Sequence, residues 1–248
     1  MRLICLNLQC GAKYESLCEF LKIHEATVDV FCFQEVFNNA TKIRWVLENA
    51  RPRLFAELQQ ILPDFDGYFA PPREDDVGGL STFVKKPIKV VSAENIVLFE
   101  ELNATENSDD PSYFSMGRNL QRVELGYQGK VHTLLNFHGM WIKNCKTDTE
   151  KRIEQSQKIR RIFDKCSGPR ILCGDLNLVQ NTRSVEILSS GNGNLIREWK
   201  ISNTLSSFDP NFGHAIDYII TSPEVQVENF KVLSDEVSDH LPLLLDFS

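Results

Sequence analysis

Several short apolar runs in this chain stop abruptly at a polar residue, and that pattern limits what it can fold into. Leu3-Ile-Cys-Leu-Asn-Leu8, Val28-Asp-Val-Phe-Cys-Phe-Gln-Glu35 and Arg170-Ile-Leu-Cys-Gly-Asp-Leu-Asn177 each read as a buried strand with a polar end. A strand that is apolar on both faces must be covered on both sides, so the chain has to build layers. In the third run Asp175 and Asn177, two residues apart, project to one side while Leu176 turns to the core. The carboxamide can hold a water or a phosphate oxygen, and the carboxylate can accept its proton. An Asp-x-Asn turn that merely closes a strand is the other reading of these residues.

The remaining segments fit the same architecture. Leu17, Phe20, Leu21 and His24 recur at helical spacing. Residues 40–62 read as two helical pieces parted at Pro52, which cannot donate inside a helix. Gly78–Val84 and Ile88–Val91 read as strands, and 100–111 as an acidic exposed loop. Leu120–Leu125 and Val131–His138 flank Tyr127-Gln-Gly-Lys130, a hairpin signal with alternation expected in both arms. A helix is expected over Glu150–Cys166, a short helix capped by Thr182 up to Leu188, and a loop over 191–194. Strands outnumber helices without strict alternation, so mixed sheets are expected.

At 248 residues a single domain over 1–248 is the expectation. No apolar run is long enough to cross a bilayer, so no stable membrane insertion is expected. The N-terminus does not read as a signal peptide. Seven cysteines is an odd number. Cys5, Cys32 and Cys173 lie inside apolar runs without zinc spacing, which suits reduced thiols in a cytoplasmic protein. A net charge of −7 argues against a protein that coats nucleic acid non-specifically. One segment runs the other way: residues 143–165 hold eight basic and four acidic residues. That is either a phosphate-attracting face or the solvated side of a helix.

The polar exceptions Asn7, Glu35, His138, Asp175, Asn177, Asp217, Asp239 and His240 all fall at the edges of apolar runs. In a layered sheet protein, strand ends on one rim converge on one place. Several carboxylates gathered there repel unless a cation neutralises them, and an oxygen-rich donor set favours Mg²⁺ or Mn²⁺ over zinc.

Taken together, Asn7, Gln34-Glu35-Val36, Asn136-Phe-His138, Gly174-Asp175-Leu-Asn177, Ile216-Asp217-Tyr218 and Ser238-Asp239-His240-Leu-Pro resemble the endonuclease/exonuclease/phosphatase superfamily. The likeness runs in family order from residue 7 to 242. It implies an α/β fold, the deoxyribonuclease I-like four-layer sandwich of two mixed β-sheets flanked by helices. It also implies metal-dependent hydrolysis of a phosphate ester. Glu35 would be the main metal ligand, with Asn7 and Asp239 close to the ion or its waters. Asp175, helped by Asn177, would orient or deprotonate the attacking water. His240, held by Asp217, would contact the scissile phosphate or move a proton, and His138 would support the phosphate or the leaving group. Arg118, with Arg122 as the alternative, would contact the phosphate. Lys151, Arg152 and Gln155 resemble a helix start that braces the site in some relatives. The number of ions stays open.

The resemblance leaves the substrate open too. A phosphodiesterase acting on short or single-stranded nucleic acid, or on a nucleotide-like diester, is the first expectation. A phosphatase or lipid-headgroup phosphodiesterase with the same residues is the second, and a binding module without catalysis the third. Trp141 would stack a base or pack on the rim. A monomer is expected.

Overall fold

The computed structural model describes residues 1–40, 49–72, 78–99 and 118–248. The elements run β1 (Arg2–Asn7), α1 (Tyr14–His24), β2 (Val30–Phe37), α2 (Leu54–Ile61), β3 (Phe65–Ala70), β4 (Gly78–Lys85), β5 (Lys89–Phe99), β6 (Arg118–Tyr127), β7 (Lys130–His138), α3 (Glu150–Lys165), β8 (Arg170–Asp175), α4 (Arg183–Ser189), β9 (Gly193–Asn194), α5 (Leu195–Glu198), β10 (Asp217–Thr221), β11 (Val227–Val232) and β12 (Leu243–Phe247). They form two six-stranded sheets, ordered β11-β12-β1-β2-β4-β3 and β5-β6-β7-β8-β10-β9. Each sheet has one parallel pair at its centre, β1 with β2 and β7 with β8, and antiparallel neighbours outside it.

Alternation along the strands assigns the layers. Leu3, Cys5, Val30 and Cys32 join the core that lies between the sheets, whereas Ile4, Leu6, Phe31 and Phe33 face Leu17, Phe20 and Leu21 of α1 and Leu54, Phe55 and Leu58 of α2. On the other side, Ile159 and Phe163 of α3 and Val185 and Leu188 of α4 pack on the second sheet. Helix, sheet, sheet, helix is thus the order of the layers. Among the described residues no helix is long and apolar enough to cross a membrane.

The two central parallel pairs set the position of the polar ends. β1, β2, β7 and β8 finish on one rim, and register pairs Asn7 with Gln34 and His138 with Asp175. β10 runs against β8, so its first residue, Asp217, lies opposite Asp175 on the same rim. β6 runs against β7 and so starts there with Arg118, and β12 runs against β1, so the Ser238–His240 turn that leads into it arrives at the end of β1.

Two details depart from the sequence reading. Residues 193–194, expected as loop, pair with β10 as the edge strand β9. β7 is buried on both faces over Thr133–Phe137 rather than alternating, because the sheet core lies under one face and helices under the other. The first helical piece of 40–62 and the acidic stretch from 100 onward lie outside the described residues.

His132 on β7 gives a pH-dependent stability. It is 2% exposed, both ring nitrogens lack partners, and the ring packs against Tyr127 and Phe247. Burial pushes its pKa below 6.5, with Lys130 and the N-terminal ammonium adding to the effect. The unfolded chain therefore takes up the proton first. The stability contributed by the neutral ring is present above about pH 6.5 and is lost as pH falls below it. Urea midpoints measured from pH 7.5 to 5 should fall more steeply for the wild type than for His132→Leu. Parallel curves would show that the ring takes up its proton equally in the folded and unfolded states and that burial does not lower its pKa.

Candidate active site

Asp175 is the centre of the polar rim. Gly174 precedes it at a φ of 143°, where a side chain would strike the carbonyl of Phe137, so only glycine lets β8 pass this close to β7. Asn177 follows at a φ of 56°. That turn folds its backbone N–H back onto Asp175 Oδ1 at 2.7 Å, while its side-chain Nδ2 donates to Oδ2 at 3.1 Å. Across the gap between the sheets, Asn7 Nδ2 donates to Asp175 Oδ2 and to Glu35 Oε1, both at 3.2 Å. One amide thus ties the end of β1 to the carboxylates of β8 and β2.

Glu35 owes its aim to an irregularity. The pairing of β2 with β4 slips between Phe33 and Val36, and Glu35 sits there at a φ of 55°. Bulges of this kind re-aim a side chain at a sheet rim. Burial and the Glu35 charge keep the neighbouring Cys10 thiol protonated well above its usual range, 3.7 Å from Glu35 Oε2.

On the opposite flank, His240 Nδ1 lies 2.9 Å from both oxygens of Asp217, and Thr204 Oγ1 donates to Asp217 Oδ2 at 2.6 Å. His240 Nε2 faces Asp175 Oδ2 at 3.7 Å and Asp239 Oδ1 at 4.0 Å. His138 Nε2 approaches Asp175 at 3.5 Å and Glu35 at 3.8 Å. Burial opposes the imidazolium of His240, but the Asp217 and Asp175 carboxylates outweigh it and hold its pKa well above the ordinary value. Burial likewise disfavours ionised Asp175, yet His240, His138 and Lys146 together keep its carboxyl below the usual range. The trio Asp175, Asp217 and His240 has donor atoms within 4.8 Å of one another. With Nδ1 committed to Asp217 and the ring protonated, His240 is a hydrogen-bond donor there, and the trio is a charge pair set against a carboxylate.

Asp239 and Glu35 fit a hard cation better. Burial pushes the Asp239 carboxyl up, His240 opposes, and Glu35 adds to the rise, leaving it at about 6. A buried carboxylate raised by a neighbouring carboxylate across a shared space is what a divalent ion would relieve. Asn7 Oδ1 accepts from Gln9 N–H at 3.0 Å, so this amide turns its NH₂ to the carboxylates and spaces them. Direct ligation by Asn7 would need that amide turned over.

All nine residues singled out in the sequence lie on this rim. Arg118 is half-buried at the start of β6; burial lowers its pKa while the charges of Glu35 and Asp175 oppose this, and its Nε has no partner. The alternative, Arg122, is paired with Glu94 at 2.6 Å on the neighbouring strand. Three contributors escaped the sequence reading. Lys146 Nζ donates to Asn177 Oδ1 at 2.5 Å, Cys10 lies on Glu35, and Thr204 holds Asp217. Arg152, named in the sequence as part of a helix start that braces the site, has a buried guanidinium that shapes the loop carrying Lys146. Gln34 and Asn136, noted only as motif members, join across the two sheets at 2.6 Å beneath the rim.

Solved structures with this architecture cover the whole chain. A mannosyl-6-phosphatase of Bacteroides thetaiotaomicron matches at 19% identity and a TM-score of 0.75, over 100% of this chain and 99% of that one. D. rerio TDP2, complexed with a single-stranded DNA product, matches at 17% identity and 0.73, over 100% and 98%. The catalytic domain of human Nocturnin with a bound sulfate anion matches at 18% and 0.69, over 100% and 94%. At these identities the likeness establishes the fold. No curated protein sequence matches. A model of the Endonuclease/Exonuclease/phosphatase family matches residues 4–240, nearly the whole chain, and by that match the protein belongs to this family.

Proposed function

We propose that this protein is a divalent-cation-dependent phosphoester hydrolase. The observation that carries the reading is the rim itself: a carboxylate held by three amide donors, an imidazolium fixed by a second carboxylate, and a buried Asp239 carboxyl whose proton affinity is raised by burial and by the charge of Glu35. Asp175 orients the attacking water with Asn177 and accepts its proton as the new P–O bond forms. His240, its Nδ1 engaged by Asp217, presents Nε2–H to a phosphoryl oxygen, where negative charge grows. Arg118 adds a second cationic contact, and His138 supports the phosphate or the departing oxygen. Glu35 and Asp239 would hold Mg²⁺ or Mn²⁺. A bound ion there supplies charge neutralisation and a more acidic water.

For substrate, a phosphodiester in short or single-stranded nucleic acid, or a nucleotide-like diester, is the first reading. It draws support from the fold shared with TDP2 in its DNA-product complex. Phe208 and Phe212, 44% and 58% exposed, add to it. They sit on a segment joined to the rim by Ser206 N–H donating to the Asp239 carbonyl at 2.8 Å, where a base could stack. A phosphomonoesterase is the second reading, favoured by the placement of Lys146 and in keeping with the phosphatase among the similar structures.

The test is turnover of chromogenic mono- and diesters and of labelled oligonucleotides with Mg²⁺ or Mn²⁺, with and without EDTA. Hydrolysis should vanish with EDTA and return with either ion. Glu35→Gln should raise the Mg²⁺ concentration needed for half-maximal rate by at least about tenfold, since a lost ligand costs no less than a lost supporting partner. Turnover that EDTA leaves intact would overturn the cation requirement.

A further inference from the structure

We propose that Lys146 binds the substrate phosphoryl group and that its charge makes the site prefer a phosphate bearing two negative charges, a phosphomonoester, over a singly charged diester. This rests on the reading of the rim as a phosphoester hydrolase and decides between its two substrate classes.

Lys146 lies on the connection between β7 and α3, whose backbone is held from two directions. From the first turn of α3, Arg152 Nε and Nη2 donate to the Met140 carbonyl at 3.1 and 2.7 Å, Nη2 also to that of Cys145 at 3.0 Å, and Nη1 to that of Thr147 at 2.6 Å. From the segment after β8, Val179 N–H donates to the carbonyl of Lys146 itself at 2.9 Å. Two residues on, Asp148 accepts from the backbone N–H groups of Arg183 and Ser184 at 2.7 and 3.0 Å. The ammonium is therefore delivered to a fixed place beside Asn177.

There it meets a neutral amide, not a carboxylate. An ammonium has three donors; one goes to Asn177 Oδ1, and among the described residues Lys146 forms no ion pair. Two other cations of the basic 143–165 segment are engaged in ion pairs. Lys158 pairs with Glu154 at 3.1 Å and Arg160 with Asp164 at 2.8 Å. Lys146 is thus a half-buried positive charge outside any contact ion pair, felt by the Asp175 carboxylate through space and aimed at the amide that flanks it. Together with His240 and Arg118 it brings a third cation to the place where a phosphoryl group meets Asp175 and Asn177. A diester presents one negative charge to these groups and a monoester two, so the last cation added should matter most to the monoester.

Two substitutions separate charge from shape. Lys146→Gln keeps an N–H donor for Asn177 and removes the charge; Lys146→Arg keeps the charge. On p-nitrophenyl phosphate, Lys146→Gln should lower kcat/KM about ten- to a hundredfold, and on bis(p-nitrophenyl) phosphate by less than about threefold, with Lys146→Arg recovering most of the loss. Calorimetric affinity for inorganic phosphate in the Mn²⁺-loaded protein should fall alongside the monoester rate. Equal losses on both esters with unchanged phosphate affinity would reduce Lys146 to a holder of Asn177 and overturn the proposal, as would no loss on either. Should the wild type hydrolyse neither ester, the hydrolase reading fails on its own. Phosphate bound by the wild type and lost in Lys146→Gln then still supports Lys146 as the anion ligand, and equal affinity in both overturns it.

Discussion

Asp175→Asn should lower ester hydrolysis by about 10²–10⁴-fold, the range a well-placed general base supplies, while leaving the fold intact. The substitution is nearly isosteric, so its effect is electronic. In the wild type Oδ1 accepts from Asn177 N–H, and Oδ2 accepts from the amides of Asn7 and Asn177. Both imidazoles also face Oδ2, at 3.5 and 3.7 Å. A carboxamide has one acceptor and one donor end, so either orientation sets an NH₂ against at least one N–H. The cost of one such mismatch is about 1–3 kcal/mol, a visible but survivable loss of stability. Base strength is removed outright, and with it the negative charge that helps hold His240 protonated. Rates should be compared at saturating Mn²⁺, with circular dichroism to confirm folding. A variant keeping more than a tenth of wild-type activity would show that Asp175 is not the group that takes the proton.

Asp175 was legible in the sequence for a physical reason, and so were its rim partners. An apolar run that ends in a carboxylate states both that a strand is buried and where it stops. Once parallel neighbours β1, β2, β7 and β8 share a core, their ends must share a rim. Asn7, Glu35, His138 and Asp175 are found together because of that rule, and Asp217 and His240 because β10 and β12 run against their neighbours. Other features follow from register alone. Glu35 points into the site through a slip between β2 and β4 that nothing in Gln34-Glu35-Val36 announces. Thr204 lies 13 residues before its partner Asp217, in a loop without periodicity. Residues 193–194 look like loop and become an edge strand only because β10 offers a free edge. Lys146 was visible merely as part of a basic stretch, and Arg152 only through the resemblance of its helix start to one that braces the site. Solvated and site-facing lysines look alike until the loop path is known, and the partners of Arg152 are backbone carbonyls, which leave no mark in sequence.

Arg152 nonetheless carries the second large effect. Its side chain is 1% exposed, and its guanidinium donates to three carbonyls of a single loop, with Cys145 Sγ at 3.6 Å. Burial lowers its pKa, a sign that the enclosed charge is costly, and the carbonyl dipoles together with nearby anionic groups offset that cost. Arg152→Met keeps much of the apolar stem and removes all five donors. The carbonyls of Met140, Cys145 and Thr147 then lose their guanidinium donors at once. At about 1–3 kcal/mol for each group that water cannot reach, a loss of at least about 3 kcal/mol is expected. For a chain of this size that lowers Tm by about 6–12 °C. The same loosening frees the backbone that delivers Lys146 to Asn177, so the monoester rate should fall further than the diester rate even where the variant is fully folded. Arg152→Lys, with one compact ammonium in place of a planar fork, should recover only a minor part of either loss. A buried ion replaced by an apolar side chain can also leave a protein equally or more stable when its former partners find water. Thermal unfolding of Arg152→Met at or above the wild-type Tm would mean that the loop is held by other contacts, and that the position of Lys146 does not depend on this guanidinium.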